Sequence, residues 1–252
     1  MLRVDRDFYL DVAAALLPPS DLEFLRRTLR QGIFFDMAVQ LSRLIERGYP
    51  IQYLLGREMF LGYEFLVFPG VFIPREETEK LVEIASKLIP SGAYVLDVGS
   101  GTGAIGVSLS KLRTDVSVDF CDMAWPARFN TYVNAYRLIG RGRVFQCDMS
   151  SYVPRDYDVI ISNPPYVPVA ELTHPLTYWE PQNAIFGGKD GTLLLAQAIA
   201  HWGRIHRVGM VFLEVDEGEV EIVSDTLKKS GFRRVDVYND QFGVGRFMTA
   251  WR

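Results

Sequence analysis

The sequence has few cysteines. Its two, Cys121 and Cys147, do not form a CxxC pair and have no histidine nearby, so their spacing argues against a metal site. Both stand at the ends of runs that are typical of strands. We therefore expect two buried free thiols, as in a protein from a reducing compartment.

Long apolar runs are also absent. No stretch approaches the ~18–20 apolar residues that a membrane-spanning helix needs. Asp5, Arg6 and Asp7 stand where a secretory signal peptide would have its apolar core. A soluble, cytoplasmic protein without a membrane partner is the expectation.

A surplus of basic residues is missing as well. Lys and Arg total 27 against 31 Asp and Glu, which gives a formal net charge of -4 at pH 7. A constitutive nucleic-acid binder would normally present a basic face, so we expect no direct nucleic-acid partner. The chain has only three histidines, and no Ser-His-Asp pattern or metal-ligand spacing stands out. The sequence therefore gives no support to a hydrolase or to a metal site.

What the chain does contain suits a packed protein with a small appendage. Hydrophobic residues make up 48% of its 252 residues. Ser20 and Glu23 form a capping-box pattern, and apolar residues recur at helical spacing over 36–47, so the first part reads as short helices. Residues 57–73 alternate loosely around Gly62 and predict a β-hairpin. We predict a helical N-terminal domain over 1–55, a hairpin linker over 56–75 and the main domain over 76–252.

Strands and helices alternate along the main domain. Candidate strands cover 93–98, 116–122, 143–147, 157–162, 208–215, 232–238 and 246–251. Candidate helices cover 77–89, 104–112, 126–139, 190–205 and 217–230. This order predicts an α/β fold, Rossmann-like and doubly wound, with a seven-stranded and mostly parallel sheet. A short polar turn joins the last two strands, which predicts an antiparallel hairpin at the sheet edge.

A glycine-rich turn follows the first strand of this domain. It comprises Gly99, Ser100, Gly101, Thr102 and Gly103, and it comes just after Asp97. Glycines let a ligand approach the backbone and expose amides at a helix N-terminus. Gly101, Gly103 and Gly106 also satisfy the G-x-G-x-x-G pattern of dinucleotide sites. Asp97 suits an aminoacyl ligand better, so the motif favours S-adenosylmethionine, with a nucleotide cofactor or a structural turn as alternatives.

Acidic residues end the next two strands. Asp122 comes about twenty residues after the glycine turn, where an acid can hold both hydroxyls of a ribose. It does not separate S-adenosylmethionine from NAD, and a solvated loop aspartate is the alternative. Asp148 can accept from an adenine amine while Met149 packs on the ring. A helix cap before Ser150 explains Asp148 equally well.

The tetrapeptide Asn163-Pro164-Pro165-Tyr166 follows the fourth strand. Its prolines fix the backbone, so the Asn163 side chain and the Pro164 carbonyl are held as acceptors and Tyr166 offers a stacking face. The group that such a site would bind is a planar NH2, from a glutamine amide or an adenine. Hydride transfer does not require a site that binds a planar NH2 group. The pattern therefore predicts an N-methyltransferase with Asn163, Pro164 and Tyr166 in the catalytic site.

Two rivals stay open. An adenine-N6 methyltransferase would need a basic rim or an added domain to grip phosphates, which the acidic total disfavours. A non-catalytic binding module would have no reason to keep both the glycine turn and the tetrapeptide.

Several further segments resemble the HemK/PrmC-type peptide chain release factor N5-glutamine methyltransferase family. The similar segments are Pro50 to Gly56, Phe72 to Glu79 (FIPREETE), Leu96 to Gly106, Tyr178 to Pro181, Phe186 to Gly191, Glu214 with Gly218, and Phe242-Gly243 with Arg246. The resemblance covers roughly residues 50–252. It is more specific than the tetrapeptide alone.

The resemblance implies roles for matching residues. Gly99 to Gly103, Asp122, Met149 and Asn163 would contact S-adenosylmethionine, and Asn163 to Tyr166 would hold the glutamine amide. Phe72, Arg75 and Thr78 would line the substrate site. It also implies a release-factor partner modified in a Gly-Gly-Gln loop and an N-terminal bundle that helps recognise the substrate. A monomer is the default expectation. The chain departs from the family in its short N-terminal region and in the run Asp122 to Pro126.

Overall fold

The computed structural model describes residues 43–151, 157–168, 179–188 and 191–252. The chain divides into two compact units, Met1–Leu54 and Leu55–Arg252. The predicted helices near Ser20 and over most of 36–47 lie outside the described residues, as do Tyr178, Lys189 and Asp190 of the sequence motifs. The predicted division at 55 and 75 stays a prediction.

A short antiparallel hairpin opens the second unit. Helix α1 (Ile51–Leu55) ends at the unit boundary and is followed by β1 (Arg57–Phe60) and β2 (Tyr63–Leu66). The strands pair from Arg57 with Leu66 to Phe60 with Tyr63. Gly62 in the turn has a φ of 75°, a conformation that glycine adopts without strain.

A seven-stranded sheet forms the centre of the second unit. Its strands are β3 (Tyr94–Val98), β4 (Ser117–Asp122), β5 (Val144–Gln146), β6 (Val159–Ser162), β7 (Met210–Glu214), β8 (Arg234–Asn239) and β9 (Gly245–Trp251). Their spatial order is β5-β4-β3-β6-β7-β9-β8. The five strands from β5 to β7 are mutually parallel, while β9 runs antiparallel to both of its neighbours. The predicted antiparallel hairpin at the edge is thus confirmed.

Helices cover both faces of the sheet. They are α2 (Glu79–Leu88), α3 (Ala104–Leu112), α4 (Trp125–Ile139), α5 (Leu193–Trp202) and α6 (Val220–Lys229). One buried cluster joins α2, α3 and α4 to the sheet, and a second joins α5 and α6 to it. Because both faces of the central strands are covered, those strands are mostly apolar, with Asp97 in β3 as an exception. Because the five strands from β5 to β7 run parallel, their carboxyl ends lie along one edge of the sheet.

The two cysteines correct one expectation. Both are buried, as predicted, but they are joined in a disulfide rather than being free thiols. The register of β4 and β5 explains why the two cysteines lie close together. Asp122 is paired with Gln146, and the cysteines are the residues next to that pair. The sequence pattern carried no sign of it, because it did not reveal which strands are neighbours.

The part of the chain that the structure describes contains no helix long and apolar enough to cross a membrane.

Candidate active site

A cavity of about 290 Å³ lies at the carboxyl ends of the parallel strands. Doubly wound sheets bind ligands at this edge, because loops diverge there and leave a crevice. The predicted site residues that line it are Phe72, Arg75, Thr78, Gly99, Ser100, Gly101, Thr102, Asp122, Asp148, Met149, Asn163 and Pro165. One cavity therefore contains the glycine turn, both acidic strand ends and part of the tetrapeptide.

The glycine turn connects β3 to α3. Gly99, Gly101 and Gly103 have φ values of 71°, 56° and 83°. Residues with a Cβ adopt such angles at a cost, so the alternation of glycines fits the backbone that the turn requires. The amides of Gly99 and Ser100 donate to the carbonyl of Cys121 over 2.9 Å and 3.1 Å, which fixes the turn against β4.

Gly106 serves packing rather than ligand contact. A Cβ at this position would lie 2.6 Å from Cε1 of Phe120 and 2.9 Å from Oδ2 of Asp97. Only a glycine lets the first turn of α3 approach the sheet this closely. The G-x-G-x-x-G match that the sequence contains thus includes one glycine with a steric role.

Asp97 lies beneath the glycine turn. It is fully buried, and its Oδ2 accepts from the amide of Gly106 over 2.9 Å. Burial raises the pKa of this carboxyl to about 7, against the lowering effect of the Gly106 hydrogen bond. Asp97 and Gly103 are not among the residues that line the cavity. This position is consistent with the prediction that Asp97 orients the glycine turn. Direct contact between Asp97 and the methyl donor stays a prediction.

Asp122 links the end of β4 to the glycine turn. Its Oδ2 accepts from the amide of Gly101 over 3.1 Å, and its Oδ1 accepts from that of Ala124 over 2.8 Å. Burial raises its pKa, and these two hydrogen bonds act in the opposite direction. The carboxylate is thus oriented at the cavity wall, where it can accept from the hydroxyls of a ribose.

Asp148 and Met149 lie on the same wall. Oδ1 of Asp148 accepts from both the amide and the hydroxyl of Ser150, over 2.9 Å and 2.7 Å, and these bonds lower its pKa. These bonds close a local turn at Ser150, and the residue also lines the cavity, so the predicted adenine contact and the alternative of a helix cap both stay predictions. Cε of Met149 would lie 3.7 Å from a Cβ on Gly99, so this side chain packs beside the turn.

The tetrapeptide leaves β6 beside the glycine turn. Nδ2 of Asn163 donates to Oγ1 of Thr78 over 3.1 Å, and both residues line the cavity with Pro165. Pro164 is buried, and Tyr166 is half-buried. Burial raises the pKa of the Tyr166 phenol, and the nearby charge of Glu214 adds to the rise. The roles of the Pro164 carbonyl and of the Tyr166 ring stay predictions.

The loop that contains Phe186 and Gly187 packs against the backbone of the tetrapeptide. Val167 pairs with Phe186 in a parallel bridge, and the amide of Gly187 donates to the carbonyl of Val167 over 3.1 Å. A Cβ on Gly187 would collide with the carbonyl oxygen of Pro165. A Cβ on Gly191 would collide with that of Tyr166. The glycines after Phe186 therefore permit backbone packing against the tetrapeptide.

Polar residues of α4 that the sequence interpretation missed support the site. Oγ1 of Thr131 lies 2.9 Å from Oγ of Ser100 and 2.9 Å from the carbonyl of Gly101. Nδ2 of Asn134 donates to the carbonyl of Thr102 over 2.9 Å. These residues are fully buried. The sequence feature that could have identified them is the helical spacing of polar residues on an otherwise apolar face of α4.

Comparisons with known proteins agree with this geometry. A family model described as methyltransferase small domain matches residues 63–177. A release factor glutamine methyltransferase of Bacteroides thetaiotaomicron is 34% identical over 218 residues, which cover 82% of this chain and 78% of the relative. One of Neisseria gonorrhoeae is 35% identical over 217 residues, with 81% and 78% covered.

A solved structure shares the fold. It is described as the E. cuniculi Mtq2–Trm112 complex responsible for the methylation of the eRF1 translation termination factor. The match has a TM-score of 0.50 at 21% identity and covers 73% of this chain and 99% of that chain. Together with the observed sheet order, this likeness confirms the predicted fold class.

Proposed function

The chain belongs to the release factor glutamine methyltransferase family, and on that basis we propose that it methylates a glutamine side chain of a peptide chain release factor. This membership confirms the family resemblance that the sequence motifs indicated. The methyl donor is S-adenosylmethionine and the acceptor is the amide nitrogen, N5. The observation that carries the proposal is that Asn163 and the glycine turn line one cavity.

The cavity suits a donor with amino-acid and nucleoside parts. The positive-φ glycines, which have no Cβ, let the amino-acid part approach the backbone of the turn. Asp122 supplies a carboxylate for the ribose hydroxyls, and Asp148 with Met149 supplies an acceptor and a soft surface for the adenine. When bound, the donor supplies an electrophilic methyl group on a sulfonium centre.

The acceptor amide needs orientation because its lone pair is delocalised into the carbonyl. Oδ1 of Asn163 and the carbonyl of Pro164 accept from the two N–H groups of the glutamine. Acceptors held in place stabilise the positive charge that develops on the nitrogen during transfer. Alignment in the cavity supplies a further part of the acceleration, because the two reactants no longer need to meet in solution. The proton leaves to solvent during or after transfer.

The partner in this proposal is a protein loop containing Gly-Gly-Gln. A monomer that acts on protein, without direct nucleic-acid contact, remains the expectation, in keeping with a formal net charge of -4. A size measurement by light scattering checks the oligomeric state.

The decisive experiment incubates the protein with S-adenosylmethionine labelled in its methyl group and with purified release factors. Mass spectrometry then locates the label. The expected result is one methyl group on the glutamine of the Gly-Gly-Gln loop, lost when that glutamine is replaced by alanine. Donor binding without transfer to any release factor contradicts the proposal. Transfer to adenine in an oligonucleotide, with binding that weakens steeply as salt rises, would support the adenine-N6 rival instead.

A further inference from the structure

We propose that Glu214 is a positioning residue, which together with Thr78 holds the carboxamide of Asn163 with its oxygen towards the cavity. The inference rests on the proposed function, because it explains how Asn163 comes to present an acceptor. The sequence marked Glu214 only as part of a C-terminal pattern. Its position in the fold gives it a specific task.

Sheet register brings Glu214 beside Asn163. Ser162 at the end of β6 is paired with Leu213 in β7, and Asn163 and Glu214 are the next residues of the two parallel strands. Glu214 is 2% exposed. Thr78, which is also buried, approaches from the short 3-10 turn Glu76–Thr78 before α2. Thr78 and Asn163 form part of the cavity wall, while the buried Glu214 does not line the cavity.

The hydrogen-bonding capacity of the three side chains fixes the Asn163 amide. Nδ2 of Asn163 donates to Oγ1 of Thr78 over 3.1 Å. The carboxyl of Glu214 lies beside this pair, within reach of both Thr78 and Asn163 as an acceptor, and its Oε2 has no hydrogen-bond partner within the described ranges of the chain. A hydroxyl can donate or accept, so Thr78 alone would tolerate either orientation of the amide. An ionised carboxylate only accepts, and it therefore requires the NH2 group on its side.

The consequence is an acceptor that faces the substrate. With both hydrogens of Nδ2 directed towards Thr78 and Glu214, Oδ1 of Asn163 is the atom left for the cavity, which Asn163 lines. A flipped amide would present NH2 to the NH2 of the incoming glutamine, and two donors repel. Glu214 thus acts through Asn163 without touching the substrate.

Protonation of Glu214 would remove this restriction. Burial raises its pKa to about 7, while the hydrogen bond from Thr78, the charge of Arg246 and the hydrogen bond from Asn163 lower it and the charge of Glu77 raises it. Tyr166 is the other titratable group that faces the carboxyl. Arg246 lies 3.3 Å from Asp240 and 3.8 Å from Asp216, so its charge is shared among these groups. A neutral carboxylic acid can donate, and it then tolerates the flipped amide.

The first test compares kcat and KM for a release factor over pH 6 to 9. For the wild type we expect kcat to fall about tenfold between pH 8 and pH 6. For Glu214→Ala we expect about 10- to 100-fold lower kcat at pH 8, with little change in KM or donor affinity. Glu214→Gln can donate as well as accept, as the protonated acid can, so we expect it to have at pH 8 the reduced kcat that the wild type has at pH 6, with no further decline below pH 7. Asp216→Asn is the matched control, since it removes a charge near Arg246 while an asparagine preserves the helix cap.

The second test does not need the reaction. The side-chain amide signals of Asn163, assigned by their loss in Asn163→Asp, are followed by nitrogen-15 NMR as the pH changes. We expect them to shift with a midpoint near pH 7 in the wild type and in Asp216→Asn, and not in Glu214→Gln. Signals that do not titrate in the wild type, or an unchanged acid decline in Glu214→Gln, overturn the inference. A wild type that methylates no release factor overturns the proposed function instead, and the NMR result then decides the role of Glu214 by itself.

Discussion

The guanidinium of Arg75 forms an ion pair with the carboxylate of Glu180, 105 residues further along the chain. The Glu180 side chain is 1% exposed and the Arg75 side chain 36% exposed. Glu180 also accepts from the amide of Ile73 over 3.2 Å. Since Arg75 and the neighbouring Pro181 both line the cavity, this pair connects two of its walls.

Removal of Arg75 should destabilise the protein through the charge it leaves behind. Arg75→Ala strands a buried carboxylate, and we expect the free energy of unfolding to fall by about 1–3 kcal/mol. Arg57→Ala is the control, because it breaks an ion pair with Glu64 that is about one-third exposed on each side. That change should cost less than about 1 kcal/mol. Urea denaturation measures both, and equal losses would contradict the structural role of the buried pair.

Asn163→Ala should abolish the acceptor while leaving the donor site. We expect kcat to fall by about 10²–10³-fold, in the range seen when one preorganised hydrogen-bonding group is lost. Calorimetry should show donor affinity within a few-fold of the wild type. Asn239→Ala, at the exposed end of β8, is the matched control and should behave as the wild type. Near-normal turnover in Asn163→Ala would disprove the proposed role.

Asp122→Ala should weaken donor binding more than it affects turnover at saturation. The carboxylate is the proposed partner of the ribose, and it also orders the turn through Gly101. We expect the Kd for S-adenosylmethionine to rise at least about tenfold, the equivalent of one lost hydrogen bond to a charged group. Asp115→Asn removes an acid from an exposed pair with Arg113 and should leave the Kd unchanged. A Kd that is unaffected in Asp122→Ala would remove this residue from the donor site.

Gly106→Ala should disturb the packing of α3 on the sheet. The added methyl meets Phe120 and Asp97 at distances that require a shift of both. We expect a loss of about 1–3 kcal/mol in the free energy of unfolding, the usual cost of an overpacked core. Gly218→Ala is the matched control, because a Cβ there has no neighbour within 4 Å. Thermal unfolding of the two variants compares them directly.

Asp97 should make stability depend on pH. Its folded-state pKa of about 7 lies above the ordinary value of 3.8, so its ionisation disfavours the folded state. The contribution of Asp97 to the stability of the folded protein is therefore fully present at low pH, and it is lost as the pH rises from about 4 through 7. Asp97→Asn lacks this loss, and we expect its stability relative to the wild type to increase by about 2 kcal/mol between pH 5 and pH 8. A difference that does not change with pH would show that Asp97 stays ionised in the folded protein.

Local features of the fold were accessible from the sequence. Predicted strands such as 93–98 and 246–251 agree within about two residues with Tyr94–Val98 and Gly245–Trp251. Two-sided burial produced mostly apolar strands, and glycines marked the turn after β3 because its backbone needs positive φ. The rigid backbone of the tetrapeptide could be predicted because each proline fixes its own φ angle and restricts the residue before it.

Contacts between distant residues were not accessible. The disulfide between Cys121 and Cys147 follows from the neighbouring positions of β4 and β5 in the sheet. The roles of Thr131 and Asn134 likewise depend on which face α4 turns towards the glycine turn. Spacing along a chain carries no information on such pairs unless the strand order is known.

By itself the sequence determined the alternation of strands and helices, the glycine turn and the rigid asparagine corner, because each is imposed by backbone preferences over a few residues. Only the tertiary structure decided that Thr78, Asn163 and Glu214 share one buried space and that Arg75 reaches Glu180. The physical reason is that hydrogen bonds and ion pairs act over about 3 Å. Which groups come that close is set by the order of the strands and by the packing of the loops between them.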